Sequence, residues 1–170
     1  MGVFDGIESA SFFSRGKNIP EGKHVLRLRK MTTQSSTKKR SVYHFIAEFD
    51  VVESDSPDLR PGDVCSIVYG SDKESFLGNV KYFVSVYMFG LERQRNPDVT
   101  MREITNSITG AYIDTLVGDD GTNYAGMLIR CIGSMTVIKS GPNAGQPFTR
   151  LDWDTVDDKD QPDSEAAAPF

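Results

Sequence analysis

Cysteine and histidine are scarce in this chain of 170 residues, which has two of each. Cys65 and Cys131 stand apart inside apolar runs, without a CxxC pair, and only His24 and His44 could complete a site with them. That argues against a disulfide framework and against zinc, and reads as two buried thiols in a reducing cytoplasm. Long apolar runs are also missing. None approaches the ~20 residues that a membrane span needs, and the N-terminus lacks a signal-peptide pattern, so a soluble, cytoplasmic chain with no membrane partner is expected. No G-x-x-x-x-G-K-[ST] loop, metal-ligand spacing or nucleophile elbow occurs, so neither catalysis nor a cofactor is expected. Glu48 and Asp50 share one strand face and could in principle hold magnesium for a nuclease, but two carboxylates at that spacing are common on plain surfaces.

The charge that is present is unevenly placed. The net charge of −5 belongs to the last stretch, residues 154–170, which holds six acids and Lys159. Residues 1–153 balance eighteen acids against eighteen bases. Within that neutral body, nine bases from Arg15 to Arg40 face Glu21 alone. A neutral body with one basic pole suits a polyanion.

Hydrophobic periodicity divides the body into elements. Residues 1–20 mix glycine, serine and scattered aromatics without a period and read as a loosely ordered arm packed on its own domain or on a second subunit. Residues 24–31 alternate as a half-buried strand, Leu26 and Leu28 inward, Arg27 and Arg29 outward, where two guanidinium forks could meet phosphates. Residues 32–41 lack apolar anchors and end in Lys38, Lys39 and Arg40, and read as a flexible basic loop whose mutual repulsion a polyanion would relieve. Residues 42–53 form a second strand. Its row of Tyr43, Phe45, Ala47, Phe49 and Val51 faces the core, with Tyr43 at the strand's mouth beside the basic loop.

Residues 64–69 are a third strand ending on Tyr69, after turns at 54–58 and 60–63. Residues 71–90 carry helical periodicity, with Ser71 and Glu74 at capping-box spacing and Gly90 as the stop. Thr100 and Glu103 repeat that spacing for a shorter helix, and residues 111–117 read as a short strand. A long strand over 124–139 is interrupted by Gly126 and Gly133. A loop rich in turn formers follows at 140–147, and a strand over 148–156 places Phe148, Arg150 and Asp152 opposite Thr149, Leu151 and Trp153. The fold class is mainly β with helices (α+β). Three strands, a long helix with a short extra one behind it, and then two long strands match the order of the OB-fold, three strands, helix, two strands. That fold is a five-stranded Greek-key barrel that binds oligonucleotides across its second and third strands and two flanking loops, here the basic loop and the loop at 140–147. The division is an arm at 1–20, a barrel at 21–156 and an acidic tail at 157–170.

The tail has too little apolar surface and too much like charge to order itself. Its tip, Ala166 to Phe170, joins an aromatic ring to a free carboxylate on an acidic tether, an end suited to a pocket with a basic rim. On Asp157, Asp158, Asp160, Asp163, Glu165, Pro169 and Phe170 the chain resembles the bacterial and phage single-stranded DNA-binding proteins, whose acidic C-termini end in phenylalanine, often Pro-Phe, and dock replication and repair partners. It departs from them where Ala166, Ala167 and Ala168 separate the acids from the tip. The resemblance covers about a tenth of the chain and implies a sequence-independent binder of single-stranded DNA in replication, recombination or repair, in a host cytoplasm if the source is viral. Phosphate contacts are expected at Arg27, Arg29, Lys38, Lys39, Arg40 and Arg150, and base stacking at Tyr43, Tyr69, Phe148 and Trp153, each of which could instead fill the core. A strand-annealing recombination mediator and a structural or adaptor protein are the competing readings, and a homo-oligomer is compatible with all three.

Overall fold

A computed structural model describes residues 16–118, 121, 122 and 124–161. In chain order the elements are β1 (Lys17–Asn18), β2 (Gly22–Ser35), β3 (Tyr43–Ser54), β4 (Val64–Gly70), α1 (Phe76–Arg95), α2 (Met101–Ser107), α3 (Gly110–Val117), β5 (Leu128–Val137) and β6 (Pro147–Thr155). The strands form one sheet in the order β1-β4-β3-β2-β5-β6, antiparallel except where β1 joins β4.

Alternation builds that sheet. Leu26, Leu28 and Met31 of β2 point to the same side as Phe45, Ala47, Phe49 and Val51 of β3, all at most 3% exposed, while the intervening residues face solvent. Phe49 on β3 lies 5.7 Å from Trp153 on β6, ring centre to ring centre. Two strands intervene, and in a flat sheet that offset would exceed ~14 Å. The sheet therefore curls into a half-barrel around its apolar side.

Helix α1 fills the open side of the curl. Phe83 meets Phe45 at 6.2 Å, Phe49 at 5.7 Å and Trp153 at 4.9 Å, so one ring ties both arms of the sheet together. At its outer margin α1 covers backbone: the Tyr82 hydroxyl accepts from the Trp153 N–H (3.1 Å) and donates to the Trp153 carbonyl (3.3 Å), and Arg93 Nη2 donates to the Val156 carbonyl (3.3 Å). Gly133 lets β5 pass under residue 20, since a Cβ there would sit 2.2 Å from the Pro20 carbonyl oxygen.

Several expectations need correction. The sheet has six strands rather than five, because Lys17–Asn18 pairs with Cys65 and Ser66, and the end of the expected arm is thereby part of the fold. Three helices, not two, separate β4 from β5, and residues 110–117 are helical: Thr109 caps that turn by accepting from the Tyr112 N–H. Helix α1 starts at Phe76 and runs past Gly90 to Arg95. Ser71 does not cap it, because its hydroxyl instead accepts from the Tyr43 N–H (2.9 Å). The capping box at Thr100 and Glu103 is formed as the spacing predicts. The expected tail is ordered at its root, where Asp158–Asp160 form a 3-10 turn and the Gln161 amide bonds both the N–H (2.9 Å) and the carbonyl (2.8 Å) of Leu128. Asp163, Glu165, Pro169 and Phe170 lie outside the described residues. No described helix is long and apolar enough to cross a membrane.

Candidate nucleic-acid interface

The turn between β2 and β3 is a built structure rather than slack chain. The Ser36 N–H donates to the Val42 carbonyl (2.8 Å), and the Ser36 hydroxyl accepts from the N–H groups of Lys38 (3.2 Å) and Lys39 (3.1 Å). Ser41, at φ 63°, closes the turn in the left-handed region. This geometry leaves Lys38, Lys39 and Arg40 all exposed at the tip.

The segment before α1 braces the loop. Tyr43 and Ser71 exchange bonds, Tyr43 N–H to Ser71 Oγ and Ser71 N–H to the Tyr43 carbonyl (2.8 Å). Asp72 accepts from Lys39 Nζ at 3.0 Å, and that hydrogen bond with the lysine's charge holds its carboxyl below the usual aspartate value. Tyr43 is thereby held at the mouth of the strand with its side chain 56% exposed, beside three cations. Ser71 and Asp72 are site residues that sequence reasoning missed, since their role depends on β4 ending next to the start of β3.

The outer face of the sheet is charge-balanced. Arg27 stands opposite Asp50 across the β2–β3 ladder. A bulge between Leu28 and Lys30 brings Arg29 Nε to 3.8 Å from Asp50 and Lys30 Nζ to 3.7 Å from Glu48. Arg130 faces Asp154, and Arg150 Nη2 reaches Asp152 at 3.2 Å. Such exposed pairs add little stability, but they neutralise the face. Glu48 and Asp50 thus each sit beside a cation.

Two of the four expected stacking rings are occupied elsewhere. Trp153 is 5% exposed, stacked on Phe49 at 29° between planes and edge-on to Phe83, so neither ring face is open to a base. Tyr69 packs against the same core, and burial pushes its phenol up to about 12. Tyr43 and Phe148, 56% and 43% exposed, keep free surface. The basic loop and the loop between β5 and β6 lie at opposite ends of β2, because β5 pairs with its first residues from Gly22 to Arg27 whereas the basic loop follows Ser35. Phe148 and Arg150 therefore belong to the far end of the face, Arg27 and Arg29 to its middle, and Lys38, Lys39, Arg40 and Tyr43 form the one compact group.

A cleft of roughly 600 Å³ opens on the same face near the start of β2, lined by Lys23 and Arg130 against Glu53, Asp55 and Asp154. Three acids against two bases make it a poor seat for phosphate. Among the described residues no group of three or more histidine, cysteine, aspartate or glutamate side chains is gathered to hold a metal ion. No protein-family model, curated protein or solved structure matches this chain.

Proposed function

We propose that the protein binds single-stranded DNA without sequence preference, in replication, recombination or repair, and that its acidic C-terminus recruits partner proteins. The observation that carries this reading is the braced loop of Lys38, Lys39 and Arg40 beside the exposed ring of Tyr43. Cations that track phosphates next to a ring that stacks on bases are the two parts of a sequence-tolerant single-strand site. Counted from β2, the long strands lie in the order 3-2-1-4-5, which supports an OB-like arrangement, with α1 standing where the third and fifth strands would close the barrel.

In this reading phosphates enter at Lys38 and Arg40, and Lys39 exchanges Asp72 for a phosphate as the strand passes. A base stacks on Tyr43. Arg27 and Arg29 contribute weakly because Asp50 shares their charge, and Phe148 with Arg150 offers a secondary contact at the far end of β2. Ultraviolet cross-linking of a thymine-rich single-stranded oligonucleotide, followed by peptide mapping, tests the assignment: the adduct is expected on the peptide containing Tyr43, and adducts elsewhere with none there would refute it. The charge balance of the sheet favours one competitor, a non-enzymatic adaptor, which predicts no adduct at all.

A further inference from the structure

Strand β6 is an edge of the sheet, and only part of that edge is covered. The bonds from Ile138 N–H to the Gln146 carbonyl (3.0 Å) and from Gly145 N–H to the Ile138 carbonyl (2.8 Å) fix the parity of the β5–β6 ladder. Phe148, Arg150, Asp152 and Asp154 exchange backbone bonds with β5, and Thr149, Leu151 and Trp153 aim theirs outward. Tyr82 takes both outward groups of Trp153, and the Thr155 N–H bonds the Asp154 carboxylate at 2.8 Å. Among the described residues, nothing takes the outward N–H and carbonyl groups of Thr149 and Leu151. Beside this open stretch stand Met135, Val137 and Phe148, exposed by 54%, 52% and 43%. An open strand edge flanked by apolar side chains is a template for another strand.

We propose that β6 pairs antiparallel with β6 of a second copy of this chain, about a two-fold axis at Thr149. The sequence around Thr149 is self-complementary in this register. Thr149 meets its own copy through two backbone bonds, and the Leu151 N–H of each chain reaches the other's Pro147 carbonyl, which needs no donor from the proline. On the solvent face Arg150 lies across from the aromatic ring of Phe148 in the second copy, twice over, a cation over a π-face. On the core face Leu151 meets Pro147, and Met135 and Val137 flank the seam. Other two-fold registers are poorer. An axis at Arg150 sets two guanidinium groups against each other. An axis at Leu151 drives the second strand past Trp153, where Tyr82 already occupies the backbone. Isologous pairing of this kind closes as a dimer.

Sedimentation of the full chain, combined with disulfide trapping, tests the proposal. In the proposed register residues 148 and 150 of opposite chains form a non-hydrogen-bonded pair with Cα atoms ~4.5 Å apart, within disulfide reach. A mixture of Phe148→Cys and Arg150→Cys proteins under mild oxidation is therefore expected to give at least tenfold more cross-linked dimer than either variant alone. The native thiols of Cys65 and Cys131 are buried and do not compete. Thr149→Pro removes an outward N–H and no bond to β5, so it is expected to keep its far-ultraviolet circular dichroism while the dimer dissociation constant rises more than tenfold. A wild-type chain that sediments as a monomer at ~100 μM overturns the proposal. So does cross-linking of the single variants equal to that of the mixture, or a Thr149→Pro protein that dimerises as wild type does.

Discussion

Replacing Tyr43 and Trp153 by alanine, one at a time, should damage two different properties. Trp153 is 5% exposed and fills the space between Phe49 and Phe83, at 5.7 and 4.9 Å. Truncating a ring so placed removes its transfer free energy and leaves a cavity, about 3–5 kcal/mol in total. For a chain of this length that lowers the melting temperature by roughly 6–20 °C. Tyr43 is 56% exposed, and its bonds to Ser71 run through its backbone and survive the substitution. Its loss should cost under ~0.5 kcal/mol of stability. Its cost in binding should be about 1–3 kcal/mol, a rise of roughly 5- to 150-fold in Kd for a single-stranded oligonucleotide. Differential scanning fluorimetry and fluorescence anisotropy on the same preparations separate the two effects. A Trp153→Ala protein that melts like wild type and binds poorly would refute the placement of the tryptophan in the core. A Tyr43→Ala protein that binds like wild type would remove Tyr43 from the site.

Four further expectations follow from the charges and from Tyr69. Exchanging Lys38, Lys39 and Arg40 for alanine should reduce the slope of log Kobs against log salt by about 2, from ~0.7 per phosphate contact on a single strand, and an unchanged slope would show that the loop touches no phosphate. Asp72→Asn should strengthen binding by up to about fivefold by releasing Lys39, as an anisotropy titration would show. Because Lys39 holds the Asp72 carboxyl below 3.8, the pair's contribution to stability is present above that pH and is lost as pH falls through the lower folded value; wild type and Asp72→Asn should therefore converge in acid unfolding curves. Burial raises the Tyr69 phenol from 10.0 to about 12, so the unfolded chain releases that proton first and stability falls between those values. Tyr69's share of the fall should amount to roughly 2–3 kcal/mol. Tyr69→Phe should remove that share in alkaline denaturant titrations and leave the part contributed by Tyr87, Tyr112, Cys65 and Cys131, whose protons burial also holds.

How much of this was legible in the sequence depends on whether a feature is local. The alternation of Leu26 with Arg27 and of Tyr43 through Val51 gave strands and their inward faces, because period two is a property of the strand alone. The same alternation put Trp153 with Leu151 and opposite Arg150, a sign of burial that outweighs the ring's suitability for stacking. The box at Thr100 and Glu103 was readable for the same reason. Ser71 and Glu74 had equal spacing, yet β3 claimed the Ser71 hydroxyl, and no local pattern shows that competition. Gly90 has the residue type of a helix stop, but the helix passes it with the Thr155 side chain packed 3.2 Å from where a Cβ would sit, so a larger residue there would have to displace Thr155. The neutral outer face was hidden too, since Asp50 beside Arg29 and Glu48 beside Lys30 depend on a bulge that sets register.

The most direct test of the central claim is fluorescence anisotropy of a labelled mixed-sequence single-stranded oligonucleotide titrated with the full chain at two salt concentrations, with duplex of the same sequence as competitor. The account predicts binding that weakens as salt rises and that duplex does not displace. Absence of binding at low salt, or displacement by duplex at equal concentration, would contradict it.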